Sequence, residues 1–237
     1  MQRHRVDGQP AFMLHAYPYS ETSLIVDVFS RDFGRVALLA RGARRPRSAL
    51  RGVLLAFQPL EVAWAGKGEV QTLMRAEWQG GQPLLGGPAL FFGYYLNELL
   101  MHLLPREDAH VHLFSTYAET LRRLAAGAHE ADLRCFERLL LQELGYGLLL
   151  DRDSEGRTVT ADAHYVYEIE RGPLLVTLPG TSALAVSGRT LLDLARNDLS
   201  DPCSLSEAKL LMRTAIAHYT GGRMLASRRI FRELREL

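Results

Sequence analysis

Apolar positions recur along this chain at two different periods, and the change from one to the other divides it. Between residues 11 and 78 they come as short extended runs at 11–15, 23–29, 35–40, 60–64 and 70–74, separated by turn-forming pieces. Runs of this length, rich in β-branched and aromatic side chains and bounded by Gly, Pro or Asp, read as strands. Gly66-Lys67-Gly68 supplies a hairpin turn between the last two, with glycine able to take a positive φ. Five short strands in about seventy residues suggest a small closed barrel of OB type.

Gly80-Gly81-Gln82-Pro83 and Gly86-Gly87-Pro88 break the alternation, and the spacing then becomes helical. Residues 89–104 place Leu90, Tyr94, Asn97 and Met101 on one stripe, with Phe91, Tyr95, Glu98 and His102 beside it, and Pro105 stops the helix. A second helix is predicted from 111 to about 126. A third spans 132–144, with Leu133, Phe136, Leu140 and Leu144 at helical spacing before Gly145 and Gly147. Extended runs at 165–169 and 174–178, joined through Arg171-Gly172-Pro173, read as a hairpin. Ser187 is a candidate cap for a short helix to about Asn197, and Ser204-Leu205-Ser206-Glu207 has the capping-box pattern for a helix to about Tyr219. A last amphipathic helix is predicted from near Ser227, with Arg228, Arg232 and Arg235 on one face and Ile230, Leu234 and Leu237 on another. The class is α+β. An OB-type barrel over 1–80 precedes a mainly helical domain over 81–150, completed by 186–237, with a small hairpin subdomain at 151–185.

Charge sharpens this division. The formal net charge is only +1, but residues 1–82 carry eleven Lys and Arg against seven Asp and Glu, and residues 204–237 carry seven against three. The acidic surplus lies between them, eight against five over 83–150 and nine against five over 151–203. Two basic ends around an acidic middle are what a nominally neutral chain needs in order to meet a polyanion. The densest cluster is Arg41, Arg44, Arg45, Arg47 and Arg51, with no acid among them and with Gly42, Pro46 and Gly52 preventing one regular helix. Guanidinium forks suit phosphate oxygens, although a solvated loop would show the same run of charge.

Other chemistries find little support. No phosphate-binding G-x-x-x-x-G-K-[ST] loop occurs, since Gly66-Lys67-Gly68 lacks the preceding glycine and the following helix. The eight histidines form no metal pattern, His110-x-His112 included, and Asp151-Arg152-Asp153 reads as a turn. Cys135 and Cys203 are far apart and are expected to be ordinary thiols in a reducing compartment. No run is long enough to span a bilayer, and the basic start meets Asp7, Gly8 and Pro10 rather than a signal-like apolar segment, so the expected compartment is the cytoplasm.

Several local motifs occur together in one order: Glu21-Thr22-Ser23-Leu24, Gly34-Arg35-Val36, residues 40–44 (Ala40-Arg41-Gly42-Ala43-Arg44), Gly68-Glu69-Val70-Gln71-Thr72-Leu73, Tyr95-Leu96-Asn97-Glu98-Leu99-Leu100, Leu144-Gly145-Tyr146-Gly147 and Gly221-Gly222-Arg223 followed by Leu225 and Ser227-Arg228. Their combination resembles the RecO family of bacterial recombination mediators, nearly end to end. The resemblance implies an OB domain, a helical domain and a small third subdomain. It implies binding to single- and double-stranded DNA, annealing of complementary strands, and recognition of the acidic C-terminal tail of single-stranded DNA-binding protein (SSB). It further implies action with RecR, and often RecF, in loading RecA, without catalysis or cofactor. Many members carry a four-cysteine zinc site in the third subdomain. Residues 151–160 and the following hairpin hold no cysteine, so this chain resembles the zinc-free members and no structural metal is expected.

On an OB barrel the strand tracks a basic groove while bases stack on aromatic rings. Arg35, Arg41, Arg44, Arg45, Arg47, Arg51, Lys67 and Arg75 are therefore expected on or near the DNA surface, with Arg35 and 41–44 inside family-like motifs and Arg45, Arg47 and Arg51 resting on charge alone. Tyr17, Tyr19 and Trp78 are candidate stackers, whereas Phe29, Phe57 and Trp64 are expected in the core. Arg134, beside Leu133 and Phe136, matches the family position at which an arginine engages the SSB tail; a surface arginine on a core helix is the alternative. The C-terminal arginines 223, 228, 229, 232 and 235 fit either DNA contact or a solvated face. The rival reading is a protein-binding adaptor with incidental nucleic-acid contact, and a metal-dependent nuclease is more distant still.

Overall fold

The computed structural model describes residues 4–127, 129–176, 184–227 and 229–230, which fall into two compact units divided between Gly127 and His129. In the first unit, β1 (His4–Tyr19), β2 (Ser23–Ser30), β3 (Gly34–Ala40), β4 (Pro59–Gly66) and β5 (Val70–Trp78) close into a barrel in the order β1-β2-β3-β5-β4. Every neighbouring pair is antiparallel except β3 and β5, which run parallel with Ala37 opposite Val70 and Leu39 opposite Thr72. A parallel pair cannot be joined by a hairpin, so the chain crosses over through the one-turn helix α1 (Leu50–Val53) and β4. This is the OB arrangement. Val26, Val28, Leu38, Leu60, Val62 and Trp64 alternate inward to form the barrel core, and Phe29 and Phe57 are buried as well. Strand β1 starts well before the apolar run at 11–15, because bulges at Val6/Gln9 and Met13/His15 let one strand bend to pair with both β2 and β4.

Two helices that the sequence pattern groups with the later ones pack here on the barrel. Helix α2 (Pro88–Leu103) buries Tyr95, Leu96, Leu99 and Leu100 rather than the stripe through Leu90 and Met101, and Tyr94 is left exposed. Its rotation is set by Asn97, whose amide donates to Leu14 O at 2.8 Å and whose carbonyl accepts the Tyr117 hydroxyl. Helix α3 (Val111–Ala126) brings Tyr117 and Phe114 against Phe12 and Phe29, with ring centroids of Phe12 and Tyr117 5.2 Å apart. Burial pushes the Tyr117 phenol above its ordinary range, which keeps it a donor. Between α2 and α3 the chain lies beside β3: Arg106 bridges Arg35 in parallel, and Glu107 N donates to Arg35 O at 3.0 Å. Gly34 allows this approach, since it has φ +63° and a Cβ there would sit 1.8 Å from Asp108 O.

In the second unit, α4 (Glu130–Glu143), α5 (Gly188–Arg196) and α6 (Pro202–Tyr219) accompany a three-stranded sheet of order β7-β6-β8, formed by β6 (His164–Glu168), β7 (Gly172–Val176) and β8 (Ala185–Ser187). The expected hairpin is β6 with β7, Val166 facing Leu174, and β8 adds a third strand; residues 177–178 lie outside those described. Ser187 caps α5 by accepting from Thr190 N at 3.2 Å. Helix α6 begins earlier than its capping-box pattern predicts, because Asp201 accepts from Ser204 N at 2.8 Å with Pro202 in the first turn. Glu207 is thereby released to accept from Ser187 N, Ser187 Oγ and Thr190 Oγ1, which ties α6 to the start of α5. The 151–163 loop closes on Asp153, whose carboxylate accepts from the amides of Glu155 and Arg157 and from Arg157 Nε. Among the described residues no helix is long and apolar enough to cross a membrane.

Candidate nucleic-acid interface

The arginine cluster forms a string of tight turns at the end of the barrel where β3 stops. Ala43 N donates to Ala40 O, Arg45 N to Gly42 O, Ser48 N to Arg45 O and Arg51 N to Ser48 O, so the main chain is ordered locally. Arg44 N donates to Thr22 O at 2.8 Å and Arg44 Nη1 to Ser20 O at 2.9 Å, which pins the loop to the β1–β2 turn. Arg41, Arg44, Arg45, Arg47 and Arg51 are all exposed, and none has a carboxylate partner among the described residues. A fixed backbone carrying unneutralised guanidiniums is an electrostatic footprint for a phosphate chain.

The other predicted cations are placed differently. Lys67 is exposed in the β4–β5 turn, where β5 starts, toward the other end of β3 from the arginine loop. Arg75 is already neutralised by Glu61 at 2.9 Å and Glu77 at 3.6 Å. Arg35 is half-buried, with Nη1 donating to Met101 O at 2.8 Å, and burial first, then the nearby Arg106, hold its guanidinium below the usual arginine range. Of the candidate stackers, Tyr17 and Tyr19 are exposed on β1, while the Trp78 indole is exposed but donates Nε1 to Gln58 Oε1 at 3.0 Å.

Cross-strand register sets Tyr17, Ile25 and Leu39 in one row of the barrel's outer face and His15, Asp27 and Ala37 in the next. Arg106 reaches this face from the α2–α3 connection and pairs with the buried Asp27 at 3.2 Å. Neither His15 nor Arg106 is marked out by local pattern. Arg106 follows what reads as an ordinary proline stop, and its bridge to Arg35 and its pairing with Asp27 bring it to the barrel.

In the second unit Arg134, Leu133 and Phe136 are buried together on α4, so Arg134 is not a surface arginine. Its guanidinium pairs with the buried Glu137 at 3.0 Å, and its Nε is buried without a hydrogen-bond acceptor. An open cavity of about 420 Å3 at the start of α4 is lined by His129, Glu130, Asp132 and Asp198 with Leu199 and Leu205, and Glu130 is paired with Lys209 at 2.8 Å. Arg223 and Arg229 are exposed, whereas Arg228, Arg232 and Arg235 lie outside the described residues.

Comparison with known proteins agrees along the whole length. Residues 3–81 match the family model described as Recombination protein O N terminal, and residues 87–229 match that described as Recombination protein O C terminal. The chain is 63% identical over 239 residues to the DNA repair protein RecO of Dechloromonas aromatica, covering 99% of each. It is 56% identical over 237 residues to that of Aromatoleum aromaticum, covering 100% of this chain and 99% of the relative. With the RecO of Nitrosospira multiformis the identity is 48% over 240 residues, at 100% and 99% coverage.

Proposed function

The chain belongs to the RecO family of DNA repair proteins, and from that premise we propose that it is a non-enzymatic recombination mediator that binds and anneals DNA strands. One observation carries this reading: five exposed arginines without carboxylate partners, held on the turns that follow β3 at one end of an OB barrel. Annealing requires two polyanions to approach each other. A surface that neutralises phosphates on each strand lowers that repulsion and leaves base pairing to select the partner. The step forms no covalent bond and needs no metal or cofactor.

Replacing Arg44 and Arg45 by Ala together tests the reading. If both contact phosphate, affinity falls for all sequences and the slope of log K against log salt shrinks by about two. Unchanged affinity and slope would remove the loop from the interface. An assay of naked-strand annealing without ATP separates the mediator from an adaptor, because an adaptor would not accelerate pairing.

Recruitment through the C-terminal tail of SSB, and action with RecR, or with RecR and RecF, in loading RecA, complete the proposal. Support for the tail contact comes from Arg134, a buried guanidinium with an unsatisfied Nε, flanked by Leu133 and Phe136. A terminal carboxylate and an apolar side chain are what such a setting would accept. Glu137 already pairs with the guanidinium, so the tail carboxylate would have to compete with it.

A further inference from the structure

The outer face of β1, β2 and β3 carries something that the arginine loop lacks: aromatic rings beside cations fixed by the main chain. His15 and Tyr17 pack with ring centroids 4.3 Å apart, and both are exposed. Near them lie two guanidiniums, Arg106 paired with Asp27 and Arg35 held on the Met101 carbonyl. Asp27 is 1% exposed and pairs with Arg106, and Arg35 spends Nη1 on the Met101 carbonyl while its Nε stays buried without an acceptor. Arg106 is held by the backbone bridge to Arg35, not by a flexible stem alone. Asp27 pairs with Arg106, and among the described residues no carboxylate pairs with Arg35, so the positive charge of Arg35 is left uncompensated. Burial first, and then the neighbouring Arg106, holds the Arg35 guanidinium below the usual arginine range. An anion at this point relieves their repulsion.

Aromatic ring beside cation pair matches base beside phosphate in an unpaired strand. In a duplex the base faces are covered by their neighbours, so a ring at the surface has nothing to stack on. We infer that His15, Tyr17, Arg35 and Arg106 form a single-strand-selective subsite, with a base on Tyr17, its phosphate at Arg35 and Arg106, and Asp27 as the positioning residue of Arg106. Resting on the DNA-binding reading above, the subsite deepens it by separating strand discrimination from bulk affinity. The 41–51 loop attracts phosphates of either form, and the β1–β3 face tells one form from the other.

The test uses the full chain, a labelled oligodeoxythymidine and a duplex of equal length, with dissociation constants read by fluorescence anisotropy. Tyr17 is exposed, so Tyr17→Ala leaves the core intact; Arg106→Lys keeps a cation beside Asp27, where alanine would strand a buried carboxylate. Tyr17→Ala is expected to weaken single-strand binding roughly five- to 150-fold and duplex binding about twofold or less. Arg106→Lys moves the same ratio in the same direction, and Arg44→Ala with Arg45→Ala weakens both DNAs alike. Equal losses on the two DNAs for Tyr17→Ala, or no loss on either, overturn the subsite. Wild-type protein that bound neither DNA would instead overturn the DNA-binding reading, and the subsite with it.

Discussion

At Gly34 two independent constraints meet, a φ of +63° and the Asp108 carbonyl oxygen where a side chain would begin. Gly34→Ala is expected to cost about 1–3 kcal/mol from backbone strain alone, with displacement of the 106–108 segment added, and its denaturant midpoint should fall accordingly. Asp153 makes a different prediction. Burial raises its carboxyl, but the hydrogen bond from Arg157 and the amides of Arg157 and Glu155 outweigh that and hold it below the ordinary carboxylate range. A depressed folded value contributes stability that is present above the unfolded pKa of about 3.9 and is lost as pH falls through the lower folded value. Asp153→Asn should therefore lose stability near neutral pH and converge on wild type in acid, as read by urea unfolding at several pH values. Residues of these kinds differ in how visible they are to sequence. The arginines at 41–51 announce themselves by density, and Asp153 by its place in a polar turn. Arg106 does not, because its role depends on a bridge to Arg35 that no local spacing encodes.

Among the elements, strands were the more legible. Each apolar run of the first 78 residues became a strand because alternation against a one-sided core is a local property, and the Gly66-Lys67-Gly68 turn fixed one register directly. The rotation of α2 was not legible. With Glu98 its only carboxylate and His102 its only imidazole, two apolar stripes competed, and the choice was made by Asn97 bonding to β1 and Tyr117. Asn97→Ala should cost about 1–3 kcal/mol for each buried group left unpaired, seen as a lower urea midpoint with an unchanged slope. A similar competition moved the start of α6: Asp201 took the capping role suggested for Ser204, and Glu207 turned to α5. Glu207→Ala is accordingly expected to speed amide hydrogen exchange at the first turn of α5 while leaving the barrel amides protected.

For the whole molecule, a formal charge of +1 conceals a basic barrel half, so binding to DNA should be strongly salt-dependent despite near neutrality. The proposed tail site belongs at this scale too, since it would couple DNA binding to recruitment. A peptide copying the acidic SSB tail should bind wild-type protein, and Arg134→Lys, which keeps the charge beside Glu137 but lacks the fork, should weaken that binding while leaving naked-DNA affinity alone. Tail affinity unmoved by this change would take Arg134 out of the site. The barrel also has a consequence in time. Its seam joins the first residues of β1 to the last of β4, with His4 opposite Gly66, and β5 must then slot between β4 and β3. Pairings this distant in sequence fold slowly, on a scale of milliseconds to seconds. On the ribosome, therefore, the N-terminal strand must wait for nearly the whole domain to be synthesised, with an apolar edge open to aggregation until the last strand emerges.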